Sequence, residues 1–200
     1  MTDYPFLPVL LGSDANVYGM ARSFHEAYGL RSLAVSKTIF TATADSKIID
    51  FTLEPDLENP DTFLASLISL KKRYPDKTLL LVPCSDGYMK LLVQFQEELR
   101  PYFAFNCPTL ENLQRLTLKE NFYAVCDEFG FSYPQTDIVT PQNYQTVPLQ
   151  IPFPRIIKAS NSVEYWKCSF PGKRKVFVAQ DQEEYDKILR LIYSSSYQDH

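Results

Sequence analysis

Apolar positions fall into short blocks that switch between two periods. Phe6–Leu11 is a continuous apolar run of strand length that stops at Gly12. A helical pattern follows over residues 14–27, with Ser13 or Asp14 suited to its cap and Gly29 just past its end. Residues 32–35 read as a second strand. Residues 48–53 read as a third, with Ile49, Phe51 and Leu53 on one face. Asn59-Pro60-Asp61 opens a helix that runs to about Arg73, since proline fits the first helical turn and asparagine fits the cap. Phe63, Leu64, Leu67, Ile68 and Leu70 supply its apolar face. Thr78–Pro83 (TLLLVP) is apolar enough for burial on both faces. Ser85-Asp86-Gly87 begins a helix that ends near Leu99, ahead of Pro101, and residues 103–105 form a short strand.

Strands and helices alternating at this rhythm imply right-handed βαβ units and a parallel sheet. Ligands of such sheets sit beyond the carboxyl ends of the strands. The turns at 12–16 and 84–87 therefore line the expected crevice, and Gly12, Ser13, Asp14, Asn16 and Asp86 are the candidate substrate-binding residues. The pattern changes after Pro108. Residues 109–116 and 118–129 read as two short helices, the second closed by Gly130. An extended Pro134-Gln135-Thr136 segment and a loop over 141–154 follow. Residues 153–159 (FPRIIKA) and 176–179 (VFVA) read as strands. Residues 181–193 read as a helix with Tyr185, Ile188, Leu189 and Ile192 on one face. The expected organisation is a Rossmann-like α/β domain over 1–115 and a smaller α+β domain over 116–200.

Composition narrows the function classes. The chain is 45% hydrophobic with 13 Tyr and 14 Phe, enough for a real core. A formal net charge of −4 gives no global signal for nucleic acid. No apolar run approaches the roughly 20 residues that span a bilayer. Met1-Thr2-Asp3 puts no basic segment ahead of the first apolar run, so no secretory signal is expected and the cytoplasm is the expected compartment. Cys84, Cys107, Cys126 and Cys168 form no C-x-x-C pair, and the histidines are His25 and His200. That set has poor spacing for zinc and reads as reduced thiols.

One charge cluster stands out. Within 155–175, Arg155, Lys158, Lys167, Lys173, Arg174 and Lys175 oppose a single acid, Glu164, with Ser160, Asn161 and Ser162 at the centre. A basic loop between two strands, with hydroxyls and exposed N–H groups, suits a polyphosphate; a solvated hairpin is the plainer alternative. Lys158 follows Ile156-Ile157 in the expected strand, which would hold its stem in the sheet.

Here a resemblance becomes specific. Leu118-Lys119-Glu120-Asn121-Phe122, then Gly130-Phe131 and Pro134-Gln135-Thr136, resembles the opening of an ATP-grasp domain. Pro152-Phe153-Pro154-Arg155-Ile156-Ile157-Lys158-Ala159 resembles the ATP-grasp strand whose lysine holds the nucleotide phosphates. Lys175-Val176-Phe177-Val178 and Asp181-Gln182-Glu183-Glu184 resemble the strand and helix that finish the small lobe. Leu11-Gly12-Ser13-Asp14-Ala15-Asn16 and Ala21-Arg22-Ser23-Phe24 resemble the D-aspartate ligase group of carboxylate–amine ligases.

The resemblance implies a pre-ATP-grasp domain followed by an incomplete ATP-grasp small lobe. It implies ATP as cosubstrate, with Lys119, Lys158, Ser160, Asn161, Ser162 and Lys175 at its phosphates. It implies Mg2+ held by residues beyond position 200, and a carboxylate and an amine joined through an acyl phosphate. D-aspartate and a peptidoglycan-precursor amine are the implied pair, a homodimer is an allowed assembly, and no catalytic residue is assigned. One departure concerns residues 160–162: many members have a glycine-rich loop there, whereas this chain has no glycine until Gly172. The large-lobe metal ligands are absent from the sequence, which reads as a truncation.

Two other readings compete. One is a Rossmann dinucleotide module, but Asp14 occupies the second glycine position of the G-x-G-x-x-G pattern, where an acid repels a pyrophosphate. The other is a non-catalytic interaction protein on a relic fold.

Overall fold

Phe6–Leu11 forms β1, and its last four residues are buried. That burial needs apolar cover on both faces of the strand, and the topology supplies it. The computed structural model describes residues 4–199, except for the side chains of Ala42, Glu120 and Val163. The readings placed on Met1, Thr2, Asp3, His200 and the Glu120 side chain lie outside the described residues. The chain divides into two units, Met1–Leu110 and Glu111–His200.

The first unit continues with α1 (Ala15–Tyr28), β2 (Ser32–Ser36), α2 (Thr41–Ala44), β3 (Ile49–Leu53), α3 (Pro60–Arg73), β4 (Thr78–Pro83), α4 (Asp86–Gln94), α5 (Gln96–Leu99) and β5 (Phe103–Ala104). The strands form one sheet in the order β3-β2-β1-β4-β5, with every neighbouring pair parallel. Strand alternation splits the core in two. Val9, Leu11, Leu79 and Leu81 pack with Phe63 and Leu67 of α3 and with Tyr88 and Leu92 of α4. Leu10 and Ala34 point the other way and pack with Val17 and Ala21 of α1. The sheet thus has helices on both faces.

Local chemistry sets the element ends. Asp14 caps α1 by accepting from the Asn16 and Val17 N–H groups, and Gly29 closes that helix in the left-handed conformation. Asn59 caps α3, with Pro60 at its first position. The single helix expected up to Leu99 is broken at Phe95 into α4 and α5, and α2 is an element the pattern did not announce.

The second unit holds α6 (Leu110–Thr117), α7 (Lys119–Phe129), β6 (Arg155–Ile157), α8 (Ser162–Lys167), β7 (Phe177–Ala179) and α9 (Gln182–Tyr193). β6 and β7 pair antiparallel, Ile156 against Val178 and Ile157 against Phe177. Phe177, Ala179, Tyr185, Leu189 and Ile192 form the core of this unit with Tyr165 of α8.

Two expectations need correction here. Lys158 is not within a strand: the last registered pair is Ile157 with Phe177, so Lys158 is one residue past β6. The segment between the strands is not an open basic loop, because it folds into α8. The Asn161 side chain accepts from the Glu164 N–H at 3.2 Å to cap that helix. The Tyr165 hydroxyl then donates to the Arg174 carbonyl at 2.6 Å and ties the helix to the following turn.

Phe63 is fully buried and its ring centroid lies 6.2 Å from that of Phe95. Truncating such a residue removes its transfer energy and leaves a cavity. Phe63→Ala is expected to cost about 3–5 kcal/mol, read as a lower urea midpoint.

Candidate functional site

The site in the second unit is assembled around the ammonium of Lys119. This residue opens α7, and its Nζ donates to the Ala159 carbonyl at 2.5 Å and the Ser160 carbonyl at 2.8 Å. The start of α7 and the segment after Lys158 are thereby joined across forty residues of chain. Ser160 is buried, Asn161 caps α8, and Ser162 is the first residue of that helix. Lys158 is exposed and makes no hydrogen bond or ion pair among the described residues. Lys175 is likewise exposed, two residues ahead of β7.

Three other cations of the basic cluster have structural partners. Lys167 pairs with Glu164 at 2.8 Å. Lys173 donates to the carbonyls of Trp166 and Cys168 and lies over the Tyr165 and Trp166 rings. The Arg155 guanidinium stacks on Phe153, 4.0 Å from its centroid, beside the Tyr185 ring. Burial pushes the Tyr185 hydroxyl up to about 12, against the opposing pull of Arg155, so it stays protonated at neutral pH.

One feature of this unit escaped the sequence reading. Ile156 and Val178 face each other across the ribbon, yet they are 69% and 51% exposed, and the adjacent Val176 is 43% exposed. Val176 directly precedes β7 and the exposed Lys158 directly follows β6. The ribbon therefore leaves apolar side chains exposed, with an exposed ammonium just past the end of β6. The signal was available in Ile156-Ile157, since two successive apolar residues on a strand make both of its faces apolar. An open groove of about 320 Å³ between α6 and α7, lined by Glu111, Arg115 and Glu128 among others, contains none of the candidate residues.

In the first unit the predicted residues gather at the carboxyl ends of β1 and β4, where the strand order reverses. Gly12 is at φ 123°, and a Cβ there would meet the Val17 side chain at 3.1 Å, so the turn itself requires glycine. Ser13 is 2% exposed, with its hydroxyl donating to the Thr38 carbonyl at 2.6 Å and its own carbonyl accepting from Thr43. Asp14 fills the N-terminus of α1. These three serve the turn. Asn16 and Asp86 are exposed, and Asn16 Nδ2 reaches the Cys84 carbonyl at 3.4 Å across the β1–β4 boundary.

Cys84 borders this crevice without being a nucleophile. Burial first, and the Asp14 charge second, push its thiol up to about 11. A raised thiol pKa keeps the neutral form dominant until the pH approaches that value. At pH 8 the thiolate is then about one part in a thousand, and iodoacetamide should label Cys84 on the order of a hundredfold more slowly than an unhindered thiol. The rate is expected to rise tenfold per pH unit to about pH 11. Mass-spectrometric labelling across pH 7–11 checks this, and a plateau below pH 9 would contradict it.

Comparison with known proteins bears on the whole chain. No family model matches it. A D-aspartate ligase of Enterococcus faecium (strain Aus0004) is 40% identical over 201 residues, covering 96% of this chain and 47% of the ligase. The chain thus spans about half the length of that relative. The crystal structure of an L-amino acid ligase from Bacillus licheniformis superposes with a TM-score of 0.59 at 11% identity, over 94% of this chain and 42% of that one. The biotin carboxylase domain of Hydrogenobacter thermophilus 2-oxoglutarate carboxylase, a dimer solved with MgADP, ADP and bicarbonate, gives 0.54 at 14% identity, over 96% and 41%. The chain is thus similar in sequence to about half of a D-aspartate ligase, and it shares a fold with an L-amino acid ligase and a biotin carboxylase domain.

Proposed function

We propose that the chain is the nucleotide-handling part of an ATP-dependent carboxylate–amine ligase. The observation that carries the reading is the exposure of Ile156, Val176 and Val178 on and beside the ribbon, together with the exposed Lys158 one residue past β6. An apolar surface with a cation at one end matches a flat base joined to a polyphosphate. Lys119 lies behind the same segment through the carbonyls of Ala159 and Ser160. Lys158 is assigned to the phosphates, with Lys119 behind it and with Lys175 and the residues 160–162 at the rim. On this reading the first unit is the pre-ATP-grasp domain and the second the small lobe, and Asn16 and Asp86 border the carboxylate substrate. Four free cysteines accord with a reducing cytoplasm.

The proposed reaction is the one that the resemblance to carboxylate–amine ligases implies. The γ-phosphoryl of ATP passes to a carboxylate oxygen, releasing ADP and leaving an acyl phosphate. An amine then attacks the acyl carbon, loses a proton and expels phosphate, forming the amide. D-aspartate is the proposed acid and a peptidoglycan-precursor amine the proposed acceptor. Fixed lysine charge at the phosphates offsets charge moving onto the departing ADP. Magnesium supplies the same service in a polyphosphate transfer. Among the described residues no group of three or more His, Cys, Asp or Glu could hold it.

Calorimetry with ATP is the direct test. Lys158 is exposed, so its charge contact is worth about 1 kcal/mol, and Lys158→Ala should weaken ATP roughly fivefold. Ile156→Asp should weaken it as well, by wetting the apolar face and repelling phosphate. ATP affinity unchanged in both variants would remove the ribbon from the site. For the ligase activity, ADP release by the natural protein should require both D-aspartate and the amine; release that ignores the amine would argue against amide formation.

A further inference from the structure

Lys119 sits where a lysine is least welcome. It is the first residue of α7, at the positive end of the helix macrodipole, and Leu118 before it provides no side-chain cap. A local choice that conflicts with helix preferences needs a compensating interaction, and such conflicts concentrate at functional sites. The compensation is visible: two carbonyls from residues 159 and 160 accept from this one ammonium. Those residues directly follow Lys158, and the next, Asn161, caps α8. The backbone that carries Lys158 is therefore held on one side by β6, whose last registered residue is Ile157, and on the other by Lys119 and the α8 cap. Lys158 has no other restraint, since its side chain bonds to nothing among the described residues.

We propose that Lys119 is a positioning residue that clamps the backbone of residues 159–160 and thereby sets the place of the Lys158 ammonium. The inference rests on the reading of Lys158 as a phosphate-binding residue, but the clamp exists without nucleotide and is measurable without it. A charge-assisted pair of hydrogen bonds to carbonyls restrains backbone, whereas a lysine held only for phosphate leaves the backbone indifferent to its removal.

The test is amide hydrogen exchange on the nucleotide-free chain, comparing wild type with Lys119→Met and Lys119→Arg. Methionine keeps the unbranched stem and removes the donor; arginine keeps a cationic donor. The amides of Glu164 and Tyr165, which bond to Asn161 directly after the clamped segment, should exchange at least tenfold faster in Lys119→Met and recover in part in Lys119→Arg, while the amides of α9 stay as in wild type. Equal exchange at 164–165 in wild type and Lys119→Met, with α9 unchanged, overturns the clamp. Faster exchange throughout α9 as well, in both variants, also overturns it, because Lys119 would then hold the unit rather than the segment. ATP titrations supply the second arm. If Lys119 acts through Lys158, the double variant Lys119→Met/Lys158→Met loses little more affinity than Lys158→Met alone, whereas fully additive losses contradict the clamp. No ATP binding by wild type, combined with the exchange difference, sinks the nucleotide reading and leaves the clamp standing.

Discussion

An ammonium group has three donors and no acceptor, and it cannot be taken from water unless each donor it loses finds an oxygen. In the second unit this requirement is met by backbone. Lys119 is satisfied by the carbonyls of Ala159 and Ser160, and Lys173 by those of Trp166 and Cys168. Each of these cations gathers chain segments that have few regular hydrogen bonds of their own. The ribbon of β6 and β7 contributes only three registered pairs, and two-stranded ribbons of that size are marginal in water. The unit holds because helix α9 buries Tyr185, Leu189 and Ile192 beneath the ribbon and because lysines pin the connection between its strands.

The first unit is held in a different way, and the contrast bears on function. Its central strand is covered on both faces, so the turn after β1 has little freedom, and its polar groups bond to one another. The Ser13 hydroxyl, the Ser13 carbonyl and the Asp14 carboxylate are all used locally. A helix N-terminus can hold phosphate only while its N–H groups are free and no acid competes. Asp14 takes that place at α1, which removes the physical basis of a dinucleotide site there. What this unit leaves exposed is Asn16 and Asp86, two short polar side chains at the strand-order reversal. They suit a small polar substrate better than a polyphosphate.

Much of this architecture was legible because its causes are letters in the sequence. TLLLVP announces a strand buried on both faces, Asn59-Pro60 announces a helix start, and Gly12, Gly29 and Gly130 mark places where the chain turns. α8 was not legible. Its sequence, SVEYWK, is short and rich in residues with modest helix propensity, and it stands through tertiary contacts of Tyr165 and Lys173. The basic cluster was misleading for a related reason. A sequence displays six cations against one acid, but it cannot display the carbonyls and aromatic rings that occupy Arg155 and Lys173. The family resemblance picked out Lys119 and Lys158; that one of them grips the backbone beside the other needed three dimensions.

The open face of the ribbon gives the last step. Ile156 lies on the ribbon and Lys158 one residue past its end, and both are exposed. A surface meant only to meet other protein would gain from apolar residues throughout, and a surface meant only for water would not leave Ile156, Val176 and Val178 exposed together. The mixed character favours a ligand that is flat and apolar at one end and anionic at the other. The same alternation turns Ile157 and Phe177 inward to the core that fixes the ribbon. The exposed face and its support are therefore one pattern, and a change of register by a single residue would exchange them.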